Sequence, residues 1–111
     1  MTQQTWPTPW LRGFLELAVL AVIGRAETYG YELSRELTEA GFGEVKGGTL
    51  YPILGRLEEA GLVTTTWRTG EHGPGRKYYA ITEKGAAELS LRALNWDRFS
   101  AAVTDLVMEQ S

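Results

Sequence analysis

The amino-acid sequence predicts a mainly α-helical protein with one β-hairpin and a long C-terminal helix. Apolar residues recur at helical spacing through the first half of the chain. The period changes to two between residues 62 and 81, where β-branched and aromatic residues alternate on either side of a glycine-rich loop. Helical spacing then returns. A chain of 111 residues with 43% hydrophobic and 23% charged residues is typical of a single globular domain.

The first helix is predicted to begin with Thr8 as its N-cap and Pro9 at its first helical position. It would run to about Ile23. Its run "LAVLAVIG" is too short to cross a bilayer, which takes about 20 apolar residues. Because this helix is apolar almost all round, we expect it to be buried on two sides, against its own domain and against a second subunit.

The segment "RAETYGYELSREL" predicts the second helix, with Thr28 as a candidate N-cap. Tyr29, Leu33 and Leu37 recur at helical spacing, and charged residues occupy the other face. In the following "AGFGE", Gly41 is the expected C-terminal cap.

The segment "GGTLYPILGRLEEAGLV" predicts a third helix, although it contains a proline. Pro52 is acceptable there if hydrogen bonding begins near Thr49, because its nitrogen then falls among the first-turn positions that lack an intrahelical partner. The outer face holds Tyr51, Gly55 and Arg56. The buried side is expected to consist of five aliphatic residues, Leu50, Ile53, Leu54, Leu57 and Leu62.

Two strands and a fourth helix complete the predicted order. Alternation around the loop "TGEHGPG" predicts a long hairpin, and Thr82 is the expected cap of a helix over about residues 83–108. In that helix Arg92 interrupts an apolar line with heptad-like spacing. We expect this line to form a dimer interface, with residues 1–82 as a DNA-binding domain and 83–111 as a dimerisation helix. The predicted interface residues are Leu89, Phe99, Val103 and Leu106, with Trp96 between them.

Two helices joined by a short turn and followed by a hairpin make a winged helix-turn-helix, which predicts that helix 3 enters the major groove of DNA. Thr49 and Tyr51 can donate hydrogen bonds to phosphate, and Lys46 and Arg56 can pair with it. The alternative is a solvated face. Gly55 disfavours that alternative, because glycine costs a helix about 1 kcal/mol relative to alanine and close approach to a partner would explain it.

Arg68, Arg76 and Lys77 are expected near the tip of the hairpin, where they can contact phosphates. Their alternative role is to protect edge strands from aggregation. The formal net charge of −3 disfavours a DNA-binding protein, but residues 44–82 hold five basic and four acidic residues, net +1.

Trp96 is expected close to the two-fold axis of a symmetric dimer. Two such rings could bracket a flat aromatic effector, with Asp97 beside them suited to a cation. Simple packing of Trp96 and a solvated Asp97 are the alternatives.

An enzyme is not expected. His72 is the single histidine, it lies in a glycine-rich loop, and the chain has no cysteine. The loop lacks the Lys-Ser/Thr pair of a phosphate-binding loop. We therefore expect no cofactor, no metal ion and no membrane association, and a cytoplasmic, nucleoid-associated protein.

The stretches "LRGFLELAVLAVIG", "YGYELSREL", "GGTLYPILGRLEEAGLV" and "GRKYYAITEKG" resemble the PadR family of bacterial transcriptional regulators. The resemblance covers about residues 11–92 and is closest to the branch with a single C-terminal helix. It implies a winged-helix homodimer that represses transcription, with helix 3 in the major groove, helices 1 and 4 in the dimer and, in some members, a central pocket for phenolic acids or flat drugs. The wing tip departs from the pattern, because it carries Glu71 and only His72 as a potential cation.

Two other functions fit the sequence. One is a winged-helix module that binds protein and not DNA, which the acidic total charge favours. The other is a dimer that binds hydrophobic compounds without regulating transcription. A strongly salt-dependent affinity for duplex DNA would distinguish the regulator from both.

Overall fold

The computed structural model describes residues 6–69, 73 and 75–109. The predicted mainly α-helical fold with a hairpin wing is confirmed. Its helices are α1 (Thr8–Arg25), α2 (Gly30–Leu37), α3 (Gly47–Glu59) and α4 (Glu83–Met108), and its strands are β1 (Thr28–Tyr29), β2 (Val63–Arg68) and β3 (Arg76–Ile81). Glu71 and His72 of the predicted wing tip lie outside the described residues.

The C-terminal half of α1 is the centre of the core. Val19, Leu20 and Ile23 are almost completely buried, and α1 contacts α2, α3, β3 and α4 of its own chain. Contacts within the same chain therefore bury much of the apolar surface of α1 from which burial on two sides was predicted. The other fully buried side chains come from α2 and α3: Leu33, Leu37, Leu54 and Leu57. No helix in the described ranges is both long and apolar enough to cross a membrane.

Two predicted N-caps are wrong. Thr8 is the first residue of α1, not its N-cap, because the carbonyl of Pro7 accepts hydrogen bonds from the amides of Trp10 at 3.0 Å and Leu11 at 3.3 Å. Thr28 does not cap α2, since it is buried in strand β1 opposite Tyr79, and Tyr29 is the N-cap residue. Each helix start differs from the prediction by one residue.

The sheet has three antiparallel strands in the order β1-β3-β2, of which the hairpin β2–β3 was predicted and β1 was not. Thr28 and Tyr29 pair with Tyr79 and Tyr78 of β3. This two-residue strand connects the start of α2 to the hairpin, so that the helix-turn-helix and the wing share one sheet.

The connection between α2 and α3 begins with a π-helical turn at Thr38–Phe42. Gly41 has φ 101° inside it, a left-handed conformation that favours glycine, but it is not the predicted cap of α2, because α2 ends at Leu37 and the cap of the π-helical turn is Gly43. The Thr38 hydroxyl donates to the Gly43 carbonyl at 2.9 Å, and the Ser34 hydroxyl donates to the Val45 carbonyl at 3.0 Å. These two bonds fix the turn that leads into α3.

Helix α3 starts earlier in the chain than Thr49, the start on which the predicted first-turn position of Pro52 depended. The Lys46 carbonyl already accepts from the Leu50 amide at 2.9 Å, so hydrogen bonding begins three residues before Thr49. Pro52 therefore lies inside the helix, and the first-turn explanation for it is wrong. Because proline has no N–H, the Gly48 carbonyl lacks the usual donor four residues later. All five aliphatic residues of the predicted buried side are buried.

Thr82 caps α4 as predicted, because its hydroxyl accepts from the Gly85 amide at 2.9 Å. Gly85 is the one buried residue of α4, and a methyl group added to it would overlap the Leu62 carbonyl oxygen. This close approach anchors the base of α4 to the end of the α3–β2 segment. Beyond its first turns α4 is exposed, and the molecule extends over 56 × 36 × 20 Å.

Candidate nucleic-acid interface

The outer side of α3 is nearly bare of side chains. With 3.6 residues per turn, Gly48, Pro52, Gly55 and Glu59 fall along the line opposite the buried leucines, and all four are exposed. Only Glu59, at the C-terminal end, carries a long side chain. A helix with this profile can approach a concave surface closely along its first three turns.

Tyr51 lies on the wing side of this line. Its ring is 56% exposed and its hydroxyl lies against Gly30, where an added methyl group would overlap it. Together with Tyr31, Trp67 and Arg76 it lines an open cavity of about 570 Å³ between the starts of α2 and α3 and the wing, which we call the wing-side groove. The groove thus combines exposed aromatic rings with a guanidinium group.

Thr49 and Arg56 lie on the opposite side of the line, facing α1. With Arg12, Lys46 and the buried Ile53 they line a second open cavity of about 380 Å³, which we call the α1-side hollow. The structure therefore divides the four residues predicted on or before α3 between its two flanks. Tyr51 belongs to the wing-side groove, and Lys46, Thr49 and Arg56 belong to the hollow. Arg12 was not among the predicted contacts, because only the fold brings α1 beside α3.

The three wing cations lie near the same end of the hairpin but on different faces of the sheet. Arg68 is directly opposite Arg76, so both project from the outer face, whereas Lys77 is opposite Trp67 and projects from the other. On the outer face the Arg68 guanidinium lies 4.4 Å from the centre of the Tyr78 ring. Arg76 lies 4.5 Å from the centre of the Tyr29 ring, and such cation–π contacts hold both arginines in place.

Three of the predicted DNA-binding cations already have carboxylate partners. Arg56 Nε donates to Glu16 Oε1 at 3.2 Å, Lys77 Nζ donates to Glu58 Oε1 at 3.3 Å, and Arg68 is paired with Glu27. In the described part of the chain, Lys46 and Arg76 make no ion pair. Of the five predicted cations, these two can meet a phosphate without first giving up a carboxylate partner.

Glu58 connects the end of α3 to the wing. It accepts from the Thr65 hydroxyl at 3.0 Å as well as from Lys77. Beneath this pair Tyr79 is buried, and burial raises the pKa of its phenol, so that it stays neutral in the folded protein. The orientation of the wing relative to α3 is thus fixed by polar contacts at the base of the groove.

The predicted dimerisation and effector residues of α4 occupy two environments. Leu89 is half-buried against the core of its own chain, whereas Phe99, Val103 and Leu106 are exposed. Trp96 is 41% exposed and its ring centre lies 5.0 Å from that of Phe14 on α1. Asp97 beside it is exposed, and its carboxylate forms no ion pair within the described residues.

Nowhere in the described ranges do three or more His, Cys, Asp or Glu side chains come together in a way that could hold a metal ion. The chemistry that these surfaces offer is hydrogen bonding and charge pairing by tyrosine, threonine, lysine and arginine on both flanks of α3, with aromatic packing on α4.

Known proteins provide an independent comparison. A model of the "Transcriptional regulator PadR-like family" matches residues 19–91. The crystal structure of a PadR-like transcriptional regulator from Bacillus cereus is similar with a TM-score of 0.80 and 39% identity, covering 90% of this chain and 97% of that one. A PadR-family regulator from Eggerthella lenta also has a TM-score of 0.80, with 33% identity over 89% of this chain and 86% of its own.

Sequence comparison likewise finds transcriptional regulators. Transcriptional regulator Rv3488 of Mycobacterium tuberculosis is 37% identical over 79 residues, which are 71% of this chain and 72% of the relative. The matched family consists of DNA-binding transcription regulators and not of enzymes, which confirms the function class predicted from the sequence. The chain therefore belongs to the PadR-like family of transcriptional regulators.

Proposed function

We propose that this protein is a homodimeric repressor that inserts α3 into the major groove of an operator and releases it in response to a flat aromatic compound. One observation chiefly supports DNA binding. The outer side of α3 carries no long side chain along its first three turns, and hydrogen-bond donors lie on both flanks of it. A major groove about 12 Å wide admits a helix, and its two phosphate backbones would then meet the two flanks.

On the wing side we assign the phosphate contacts to Tyr51 and Lys77, with Arg68 and Arg76 on the outer face of the wing. On the α1 side we assign them to Lys46, Thr49 and Arg56. Lys46 also precedes the N-terminus of α3, where the partial positive charge of the helix favours an anion. The near-neutral charge of the middle segment implies a modest non-specific affinity, which suits a regulator that depends on its specific site.

The test of this interface uses an operator obtained by selecting bound sequences from random duplex DNA. We expect Tyr51→Phe and Lys46→Ala each to weaken binding without unfolding the protein. Losing Lys46 should also lower the slope of log affinity against log salt by about one unit. Arg98→Ala is the matched control, since it removes one positive charge from an exposed site on α4.

Fluorescence anisotropy of labelled operator across a salt series measures both quantities. Wild-type affinity and slope in Tyr51→Phe and Lys46→Ala would show that the assignment of these two residues is wrong. Failure of the wild type to bind any selected duplex would favour the protein-binding module instead.

We further propose that α1 and α4 form the dimer, with Phe99, Val103 and Leu106 of α4 at its centre. These side chains are exposed in one chain, and an exposed apolar stripe of this length is typical of an interface. A symmetric dimer would present two α3 helices to half-sites about one DNA turn apart, ~34–36 Å. Where such an operator overlaps a promoter, the bound dimer blocks transcription, and the proposed place of action is the bacterial nucleoid.

For the effector, Trp96 is the proposed contact and Asp97 a neighbouring anionic group. The Trp96 ring already packs beside Phe14 and is 6.0 Å from Phe99, so a planar compound inserted near the dimer axis would find aromatic faces from α1 and α4. To release DNA, the compound must bind more tightly to a dimer whose two α3 helices do not match the spacing of the half-sites. A compound with equal affinity for the matching and the non-matching dimer would leave operator affinity unchanged.

We expect Trp96→Ala to weaken the binding of planar dyes and phenolic acids and to remove their effect on operator affinity. The anisotropy of a fluorescent dye measures binding directly, because intrinsic emission would mix four tryptophans. Trp10→Ala, at an exposed site on α1, is the control. Equal dye binding after Trp96→Ala would place the pocket elsewhere, and dye binding that leaves DNA affinity unchanged would contradict the regulatory proposal.

A further inference from the structure

We propose that Glu16 is a positioning residue that couples α4 to the DNA-reading helix α3, by sharing its carboxylate between Arg56 and Arg92. The inference rests on the proposed function only in taking Arg56 as a phosphate contact. It concerns a contact inside one chain.

The geometry is a chain of charges across three helices. Glu16 projects from α1, and its Oε1 accepts from Arg56 Nε of α3 at 3.2 Å. Its other oxygen, Oε2, accepts from Arg92 Nη1 of α4 at 3.1 Å. Arg92 is held from its far side by Glu88, whose Oε1 accepts from Arg92 Nε at 2.9 Å. The two arginines therefore bind different oxygens of one carboxylate.

The sequence pattern of α4 has an unexplained feature that this contact accounts for. Arg92 is the polar residue that interrupts the apolar heptad-like line, and the structure turns it toward α1 and not outward. The hydrogen bonds that Arg92 donates to Glu88 and, to a smaller extent, to Glu16 raise the pKa of its guanidinium against the opposing effect of partial burial, so it remains charged. Its charge is thus directed at Glu16.

Arg56 is the most exposed of these three residues. Its side chain is 60% exposed and lines the α1-side hollow, whereas those of Glu16 and Arg92 are 36% and 33% exposed. A DNA phosphate in the hollow must compete with Glu16 for Arg56. Because Arg92 neutralises part of the Glu16 charge, it weakens that competition and leaves Arg56 available to the phosphate.

A shift of α4 would change this balance. If Arg92 moves away from Glu16, the whole carboxylate charge acts on Arg56 and holds it against α1. The position of α4, which the proposed dimer and effector both involve, is in this way communicated to a phosphate contact on α3 without any change in the fold of the helix-turn-helix.

The proposal predicts opposite effects for two substitutions. Glu16→Gln should raise affinity for the selected operator, and Arg92→Ala should lower it, each by about two- to fivefold, as expected for one exposed ion pair. In the double variant Glu16→Gln/Arg92→Ala the effect of losing Arg92 should disappear, because its target is no longer charged. Arg92→Lys, which retains the charge, should recover most of the affinity.

The measurements are operator anisotropy across a salt series and thermal unfolding of each variant. Arg98→Ala is the control for loss of a positive charge from α4. An equal loss in Arg92→Ala and Arg98→Ala, or a loss from Arg92→Ala that persists in the Glu16→Gln background, would overturn the coupling while leaving the DNA-binding proposal intact. Absence of operator binding in the wild type would overturn both.

Discussion

Gly55 is a helix-destabilising residue in the middle of α3, and packing within the fold does not require a glycine at this position. Apart from the backbone of α3 itself, no heavy atom of the described residues lies within 4 Å of the position that a β-carbon would occupy there. Alanine should therefore raise the free energy of unfolding by about 0.5–1 kcal/mol, because it lowers the entropy cost of forming the helix. If the bare line of α3 faces the major groove, the same methyl group should weaken operator binding.

Gly13→Ala is the matched control for this prediction. Gly13 also lies in a helix, in α1, and an added β-carbon there would likewise meet no heavy atom of the described ranges within 4 Å outside the backbone of its own helix. Urea unfolding should show a similar gain in stability for both variants, and anisotropy should show weaker DNA binding only for Gly55→Ala. A Gly55→Ala protein that is stabilised and binds operator normally would argue that this line does not approach DNA.

Charge pairing at the residue scale could not be predicted from the sequence. The sequence predicts which basic residues contact DNA, but not their carboxylate partners, because Arg56 and Glu16 are 40 positions apart and Lys77 and Glu58 are 19 apart. Such pairs depend on how helices pack, whereas the pairs within one helix, such as Glu88 and Arg92, follow from spacing alone. The sequence therefore identifies which cations are present and the fold determines which are neutralised.

At the scale of elements, the helices and the hairpin were predictable because each has a long periodic pattern. The order of the four helices and of the two hairpin strands, the buried side of α3 and the cap of α4 at Thr82 agree with the sequence analysis. Strand β1 was missed because two residues are too few to show a period of two, and Thr28 is also a common N-cap type. Its pairing with β3 joins residues about fifty positions apart and is visible only in the fold.

The junction between the winged helix and α4 depends on Gly85. An added methyl group would overlap the Leu62 carbonyl oxygen and approach Ile81 to 2.8 Å, and the backbone at Leu62 cannot yield because its carbonyl also accepts from the Thr82 amide at 3.0 Å. We expect Gly85→Ala to lower the free energy of unfolding by about 1–3 kcal/mol, the usual cost of overpacking.

Urea unfolding of Gly85→Ala measures this cost, and Gly13→Ala again serves as the control, because it adds the same methyl group at an open helical site. Stability equal to that of the wild type in Gly85→Ala would mean that α4 can move away from Leu62 at little cost. The base of α4 would then be a hinge and not an anchor.

At the scale of the whole molecule, α4 divides into a part that packs on its own chain and a part that is exposed. Its first turns are held by Gly85, Leu89 and Arg92 against the same chain, whereas the part beyond Trp96 exposes large apolar side chains. The sequence analysis assigned all of the heptad-like line to one interface. The structure separates an intramolecular base from an exposed distal stripe, because α1 reaches only the first half of α4. The exposed residues of the distal stripe are Phe99, Val103, Leu106 and Val107.

If the distal stripe is the dimer contact, Val103→Asp should prevent dimerisation. A carboxylate at the centre of the interface would lose its water without gaining a partner, which costs on the order of 3 kcal/mol or more and weakens association by about a hundredfold or more. Thr104→Asp is the control, since residue 104 is exposed and lies about 100° further round the helix, off the stripe. Sedimentation velocity at micromolar concentration should give a dimer for the wild type and for Thr104→Asp, and monomer or unfolded chain for Val103→Asp. A wild type that sediments as a folded monomer, or a Val103→Asp protein that remains fully dimeric, would contradict the assignment of this stripe and with it the placement of Trp96 near a two-fold axis.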